Sequence, residues 1–157
     1  FGGLTDGELA QTGIGQGSLL VTPLRMAMLA SAFANRGVIM KPYVVSRVTA
    51  PDGTLIKRLG GGEFAAATTP ARADEVGRLM QAVVARGTGY AARVAGMKVA
   101  GKTGTAENPH GAPHAWFIGF APADAPEVAI AVILENAGGG GEAAAPVARQ
   151  ILARALR

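Results

Sequence analysis

The 157-residue chain contains no cysteine, which excludes disulfides and thiol catalysis but identifies no compartment. Aromatic residues are scarce, with one tryptophan, two tyrosines and five phenylalanines. Alanine, glycine and valine dominate instead, so the core must rely on close backbone approach between small side chains. No run approaches the ~18 apolar residues of a membrane-spanning helix. The first residues, Phe1-Gly2-Gly3-Leu4, lack the basic region and apolar core of a signal peptide. Clustered basic charge is missing too: the net charge is +4, with arginines scattered from Arg25 to Arg157. Without a basic patch or stacking aromatics there is no nucleic-acid footprint. Such diffuse positive charge remains compatible with an anionic polymer as partner.

What is present favours a folded domain. Hydrophobic residues make up 49% of the chain, and a chain of this length buries roughly 70% of its unfolded surface. Thr22-Pro23 supplies an N-cap followed by proline at the first helical position, predicting a helix over about 23–35 that stops at Gly37. Its residues Leu24, Met26, Met28, Leu29 and Phe33 are apolar on nearly every face, so burial is expected. Pro51-Asp52-Gly53 between β-branched runs predicts a hairpin over about 43–57. Thr69-Pro70 repeats the cap signature before a helix over about 70–86, and a short helical turn is expected around Tyr90–Val94. The last third reads as strands over about 97–105, 115–121 and 128–136, then a glycine run, then a closing helix over about 143–156. Consecutive strands on short connections, flanked by helices, predict an α+β fold with an antiparallel sheet and helices packed on it.

One stretch invites a nucleotide reading. Gly96-Met97-Lys98-Val99-Ala100-Gly101-Lys102-Thr103 satisfies the phosphate-loop pattern letter for letter. That loop requires a helix starting at Lys102-Thr103, and Gly104, Asn108-Pro109, Gly111 and Pro113 forbid one. As a strand, the segment instead puts Thr103 and Thr105 on one face and Lys102 and Gly104 on the other. Gly104 lets a ligand backbone approach, and an edge strand offers free N–H and C=O groups to an extended peptide, with two hydroxyls placed to hold a carboxylate. His110 and His114 lie on a Gly/Pro loop with no third ligand type nearby, so neither a metal nor a cofactor is expected.

At this point four segments, in order, carry a family resemblance. Gly15-Gln16-Gly17 with Val21-Thr22-Pro23-Leu24-Arg25-Met26-Ala27 is similar to a helix-entry segment of class B penicillin-binding proteins. Lys102-Thr103-Gly104-Thr105-Ala106-Glu107, and then His114-Ala115-Trp116-Phe117-Ile118-Gly119-Phe120-Ala121-Pro122, resemble two sheet strands of the same family. Asn136 to Gly141 leading into Ala145-Pro146-Val147-Ala148 resembles its closing loop and helix. The likeness spans the whole chain and is of the actinobacterial penicillin-binding protein A type. It implies the serine β-lactamase/D,D-peptidase fold and D,D-transpeptidation of peptidoglycan stem peptides through a serine acyl-enzyme, with β-lactams acylating the same serine. It also implies an extracytoplasmic location for a membrane-anchored parent. By the same resemblance, Lys102 would place its ammonium near the nucleophile. Thr103, Gly104 and Thr105 would hold substrate, and the Thr105 N–H would be half of an oxyanion hole.

The chain departs from the family pattern in one respect. That chemistry needs SxxK and SxN. The three serines, Ser18, Ser31 and Ser46, are followed three residues on by Val21, Ala34 and Thr49, and two residues on by Leu20, Phe33 and Val48. Both motifs are absent, and both precede this region in the family. The chain therefore reads as the C-terminal part of a transpeptidase domain, inactive alone, with apolar surface left open to self-association. Two other classes compete: a non-catalytic module binding peptide or partner along the strand edge, and, remotely, the phosphate-loop nucleotidase.

Overall fold

Side-chain caps start three of the four α-helices in the computed structural model, which describes residues 3–157. Helix α1 (Asp6–Gly13) opens on a capping box in which Thr5 and Glu8 exchange hydrogen bonds. The N–H of Thr5 holds the Glu8 carboxyl below its ordinary range by stabilising the anion. Helix α2 (Pro23–Ala34) begins with the Thr22 hydroxyl accepting from Arg25 N–H at 3.2 Å, and ends with Gly37 N–H bonding the Ala32 carbonyl at 2.7 Å. Helix α3 (Pro70–Arg86) repeats the device through Thr69. A 3-10 turn (Tyr90–Ala92) follows it.

Two short antiparallel pairs lie between α2 and α3. Strand β1 (Val38–Met40) pairs with β4 (Glu63–Ala66), and β2 (Arg47–Thr49) pairs with β3 (Leu55–Arg58). The hairpin begins at Arg47 rather than near Tyr43, and its turn is pinned by the Asp52 carboxylate accepting from Thr54 N–H at 2.9 Å.

The main sheet has the order β5 (Ala100–Ala106), β6 (His114–Ala121), β7 (Val128–Leu134), all antiparallel. The first of these starts three residues later than the sequence pattern implies. The chain turns at Gly96, where Val94 and Met97 form an isolated bridge, and only then joins the sheet. Because β5 continues in extended backbone through Thr103 and Thr105, no helix follows the phosphate-loop-like segment. A single π turn (Gly140–Ala144) precedes the closing helix α4 (Ala145–Ala155).

Alternation along the strands builds two cores. On one face Ala115, Phe117, Ile130 and Val132 meet Ala145, Ala148 and Leu152 of α4 together with Val84 of α3. On the other, Ala100 and Phe120 meet Met80 of α3, with Phe33 and Ala34 of α2 at the margin. Helices therefore cover both faces of the sheet.

The expectation that α2 is buried fails for most of its length. Only Ala30 and Ala32 are buried, and Leu24 is exposed. Ile14 (77% exposed), Leu20 (93%) and Val44 (fully exposed) are uncovered as well. The apolar pattern was real, but within this chain the sheet meets only one side of the helix.

Candidate active site

Among the described residues no strand pairs with the outer side of β5, so the sheet ends in an open edge. Antiparallel alternation points the backbone groups of every second residue toward that edge. The Thr105 carbonyl faces it, since the Gln16 side chain from outside the sheet donates to it, and the Thr103 carbonyl, two residues earlier, faces the same way. By the same alternation their N–H groups face it too.

Lys102 is exposed, and its ammonium donates to the Thr103 carbonyl of its own strand. The one ion pair among the described residues is Lys98 with Asp124 at 3.7 Å. Among the described residues no carboxylate neutralises Lys102, whose side chain is exposed. A carboxylate arriving at about 4 Å would gain roughly 1 kcal/mol in bulk water and about 4 near a protein surface. On the same face of the strand, Gly104 lies over half-buried Trp116, with which it is paired in register.

The two threonines turn to the other face and meet different fates. The Thr103 hydroxyl is 2.7 Å from that of Thr88 in the turn after α3, and the residue is only 8% exposed. Thr105 is exposed, and its hydroxyl accepts from Gly140 N–H at 3.4 Å. Accepting leaves the Thr105 proton free to donate. The alternation that sets both hydroxyls side by side thus does not leave both open, because the Thr88 turn covers one of them.

The glycine run does more than lead into a helix. Gly140 is buried against the strand pair, and a methyl group there would overlap the carbonyl oxygens of Gly104 and Trp116. Only hydrogen in place of a side chain permits the approach that brings its N–H to Thr105.

Beyond the strand the loop is internally tied. Asn108 Nδ2 donates to the Ala112 carbonyl at 2.7 Å, and Asn108 Oδ1 accepts from His110 N–H at 2.9 Å. His114 Nδ1 accepts from Asn136 N–H at 3.0 Å, so a ring proton belongs on Nε2. Sequence reasoning missed Thr88, Gly140 and Gln16. The last of these reaches the edge from 89 residues away, donating to the Thr105 carbonyl at 2.9 Å and accepting from Glu107 N–H at 3.3 Å.

An antiparallel sheet with helices packed on it is the architecture of the serine β-lactamase/D,D-peptidase fold. The penicillin binding protein transpeptidase domain matches residues 3–153, and the chain belongs to that family. It is 39% identical over 160 aligned residues to the peptidoglycan D,D-transpeptidase PbpA of Mycobacterium tuberculosis, covering 95% of this chain and 32% of that protein. The peptidoglycan D,D-transpeptidase MrdA of Acinetobacter baumannii is 34% identical, covering 88% of this chain and 23% of its own length. The ceftriaxone acyl-enzyme complex of penicillin-binding protein A from M. tuberculosis superposes with a TM-score of 0.88 at 37% identity. That match covers 95% of this chain and 35% of the other. The chain thus spans about a third or less of the length of these relatives.

Proposed function

We propose that this chain forms one wall of a peptidoglycan D,D-transpeptidase site, with the β5 edge holding the end of a stem peptide. The observation that carries the reading is the open edge of β5, on which an un-neutralised ammonium, an exposed hydroxyl and outward backbone groups converge within four residues. In this role Lys102 attracts the terminal carboxylate and sits near the serine supplied by another part of the protein. Thr105 donates its hydroxyl proton to that carboxylate and its N–H to the oxyanion. Thr103 acts through its backbone, since its hydroxyl is occupied by Thr88, and Gly104 leaves room for the ligand to approach the strand.

The reaction so served begins when the serine oxygen attacks the penultimate D-alanine carbonyl and its proton passes to a base. The terminal D-alanine leaves as a protonated amine, and an acceptor amine then displaces the serine, forming the cross-link. A β-lactam acylates the same serine and stays attached. The names of the relatives support the reaction class, and the acyl-enzyme complex of the structural neighbour supports the β-lactam partner. The same reading places the parent on the extracytoplasmic side, where the substrate lies, and includes a membrane anchor in the parent as part of the proposal.

Thr105→Val in the complete protein tests the assignment. Losing a hydrogen bond to a charged group costs roughly 1.5–3 kcal/mol, so acylation by a carboxylate-bearing β-lactam should slow about 10- to 100-fold. Thr105→Ser should restore most of it. Equal rates in wild type and the valine variant would remove Thr105 from the site. A complete protein that binds stem peptide but is never acylated would instead favour the non-catalytic module.

A further inference from the structure

Before β5 joins the sheet, the chain borders a cleft of about 810 Å³. Small-molecule sites typically have roughly 300–1,000 Å³. The 3-10 turn with Arg93, the turn at Gly96 leading to Lys98, Asp124 beyond β6 and Arg149 of α4 line it together. Ala100, the first residue of β5, is separated from Thr105 by roughly 16 Å of extended backbone, and the cleft lies on the far side of Ala100. The cleft and the Thr105 end of β5 are therefore separate places.

The lining carries an unbalanced charge. Arg93, Lys98 and Arg149 face one carboxylate, Asp124, which pairs with Lys98 at 3.7 Å. Among the described residues neither arginine has an ion-pair partner. Two like charges sharing a cleft repel, so their pairing is an arrangement that an incoming anion stabilises. The Arg93 guanidinium is also held in place, lying over the Tyr90 ring at 4.9 Å from its centroid. Stacking engages the flat face of the guanidinium and leaves the N–H groups along its edge free to donate. Ala91, Met97 and Pro122 add apolar surface to the same lining.

We propose, independently of the role given to the β5 edge, that this cleft binds a phosphate monoester carried on an apolar or ring-bearing body. Three cations and one carboxylate leave two positive charges, and a phosphate monoester carries about −1.5 to −2 at pH 7. Planar guanidinium forks match phosphate oxygens bidentately. A lone carboxylate would compensate only one of the two arginines. Soluble esters and lipid headgroups share this chemistry, and the experiment separates them.

Phenyl phosphate, a dianion joined to a ring, is titrated into the complete protein at low salt and followed by calorimetry. It should bind at a single site. Arg93→Gln and Arg149→Gln should each weaken it about 10- to 100-fold, the loss of a hydrogen bond to a charged group. Arg93→Lys should recover only part, because an ammonium keeps the charge without the fork. Benzoate, with the same ring and one charge, should bind at least about 5-fold more weakly. Lys102→Ala should leave the affinity within about twofold, as expected for a distant position. Both arginines are exposed, so the unliganded variants should keep the wild-type thermal midpoint. Sedimentation with vesicles containing phosphatidic acid, lost in both glutamine variants, would assign the lipid headgroup; phenyl phosphate binding without sedimentation would assign a soluble ester. Either result upholds the site. No binding of phenyl phosphate, or equal affinity in wild type and both glutamine variants, overturns it. Affinity lost in Lys102→Ala would place the ligand on β5 and overturn it as well.

Discussion

Replacing Lys102 with alanine in the complete protein should slow acylation by labelled penicillin about 100-fold or more, the scale of losing a positioned proton-transfer or charge-stabilising group. The expectation comes from the surroundings of the residue. Lys102 is exposed, and among the described residues no carboxylate pairs with it and its one hydrogen bond is to the adjacent Thr103 carbonyl. A lysine serving stability would be paired or packed; this one holds an open charge beside an unpaired strand edge. Removing it should leave the thermal midpoint nearly unchanged, since an exposed side chain with one hydrogen bond to its own neighbour contributes little to folding. Lys102→Arg should recover only part of the rate, because a planar fork cannot reproduce a compact ammonium. Acylation within twofold of wild type in the alanine variant would sink the role.

Gly140→Ala should produce the opposite profile, losing stability and activity together. Its added methyl group would overlap the Gly104 and Trp116 carbonyls, which belong to the paired strands and can yield only if the sheet or the π turn moves. Forcing an extra carbon into a packed site costs about 1–3 kcal/mol. The same displacement would pull the Gly140 N–H away from the Thr105 hydroxyl, so acylation should fall as well. Gly60→Ala is the control: a methyl group there meets open space. Denaturant midpoints of the two variants should differ clearly, and equal midpoints would contradict the close packing of the glycine run.

Local chemistry made much of this fold legible. Thr22-Pro23 and Thr69-Pro70 announced α2 and α3 because a cap and a proline act within one turn, and β6 and β7 stood out as continuous apolar runs. Helix α1 was legible in principle, through the Thr5-to-Glu8 capping box, but no residue of it is buried and it carries no clear apolar stripe. Strands β1 and β4 are only three and four residues long, too short for any alternation to show.

At the site, the strand period foretold which side chains share a face. It could not foretell that Thr88 would cover Thr103, or that Gln16 would reach the edge. Those contacts join residues 15 and 89 positions apart through the tertiary fold, and nothing in the spacing encodes them. The uncovered side of α2 has a similar cause, since an apolar helix announces that it will be covered but not by what.

The most direct test of the central claim, that this chain holds substrate without supplying the nucleophile, is covalent labelling. The 157-residue chain and the complete protein would be incubated with a fluorescent penicillin and read by intact mass. The account predicts one adduct per molecule of the complete protein and none on the chain alone. A stoichiometric adduct on the chain alone would contradict it.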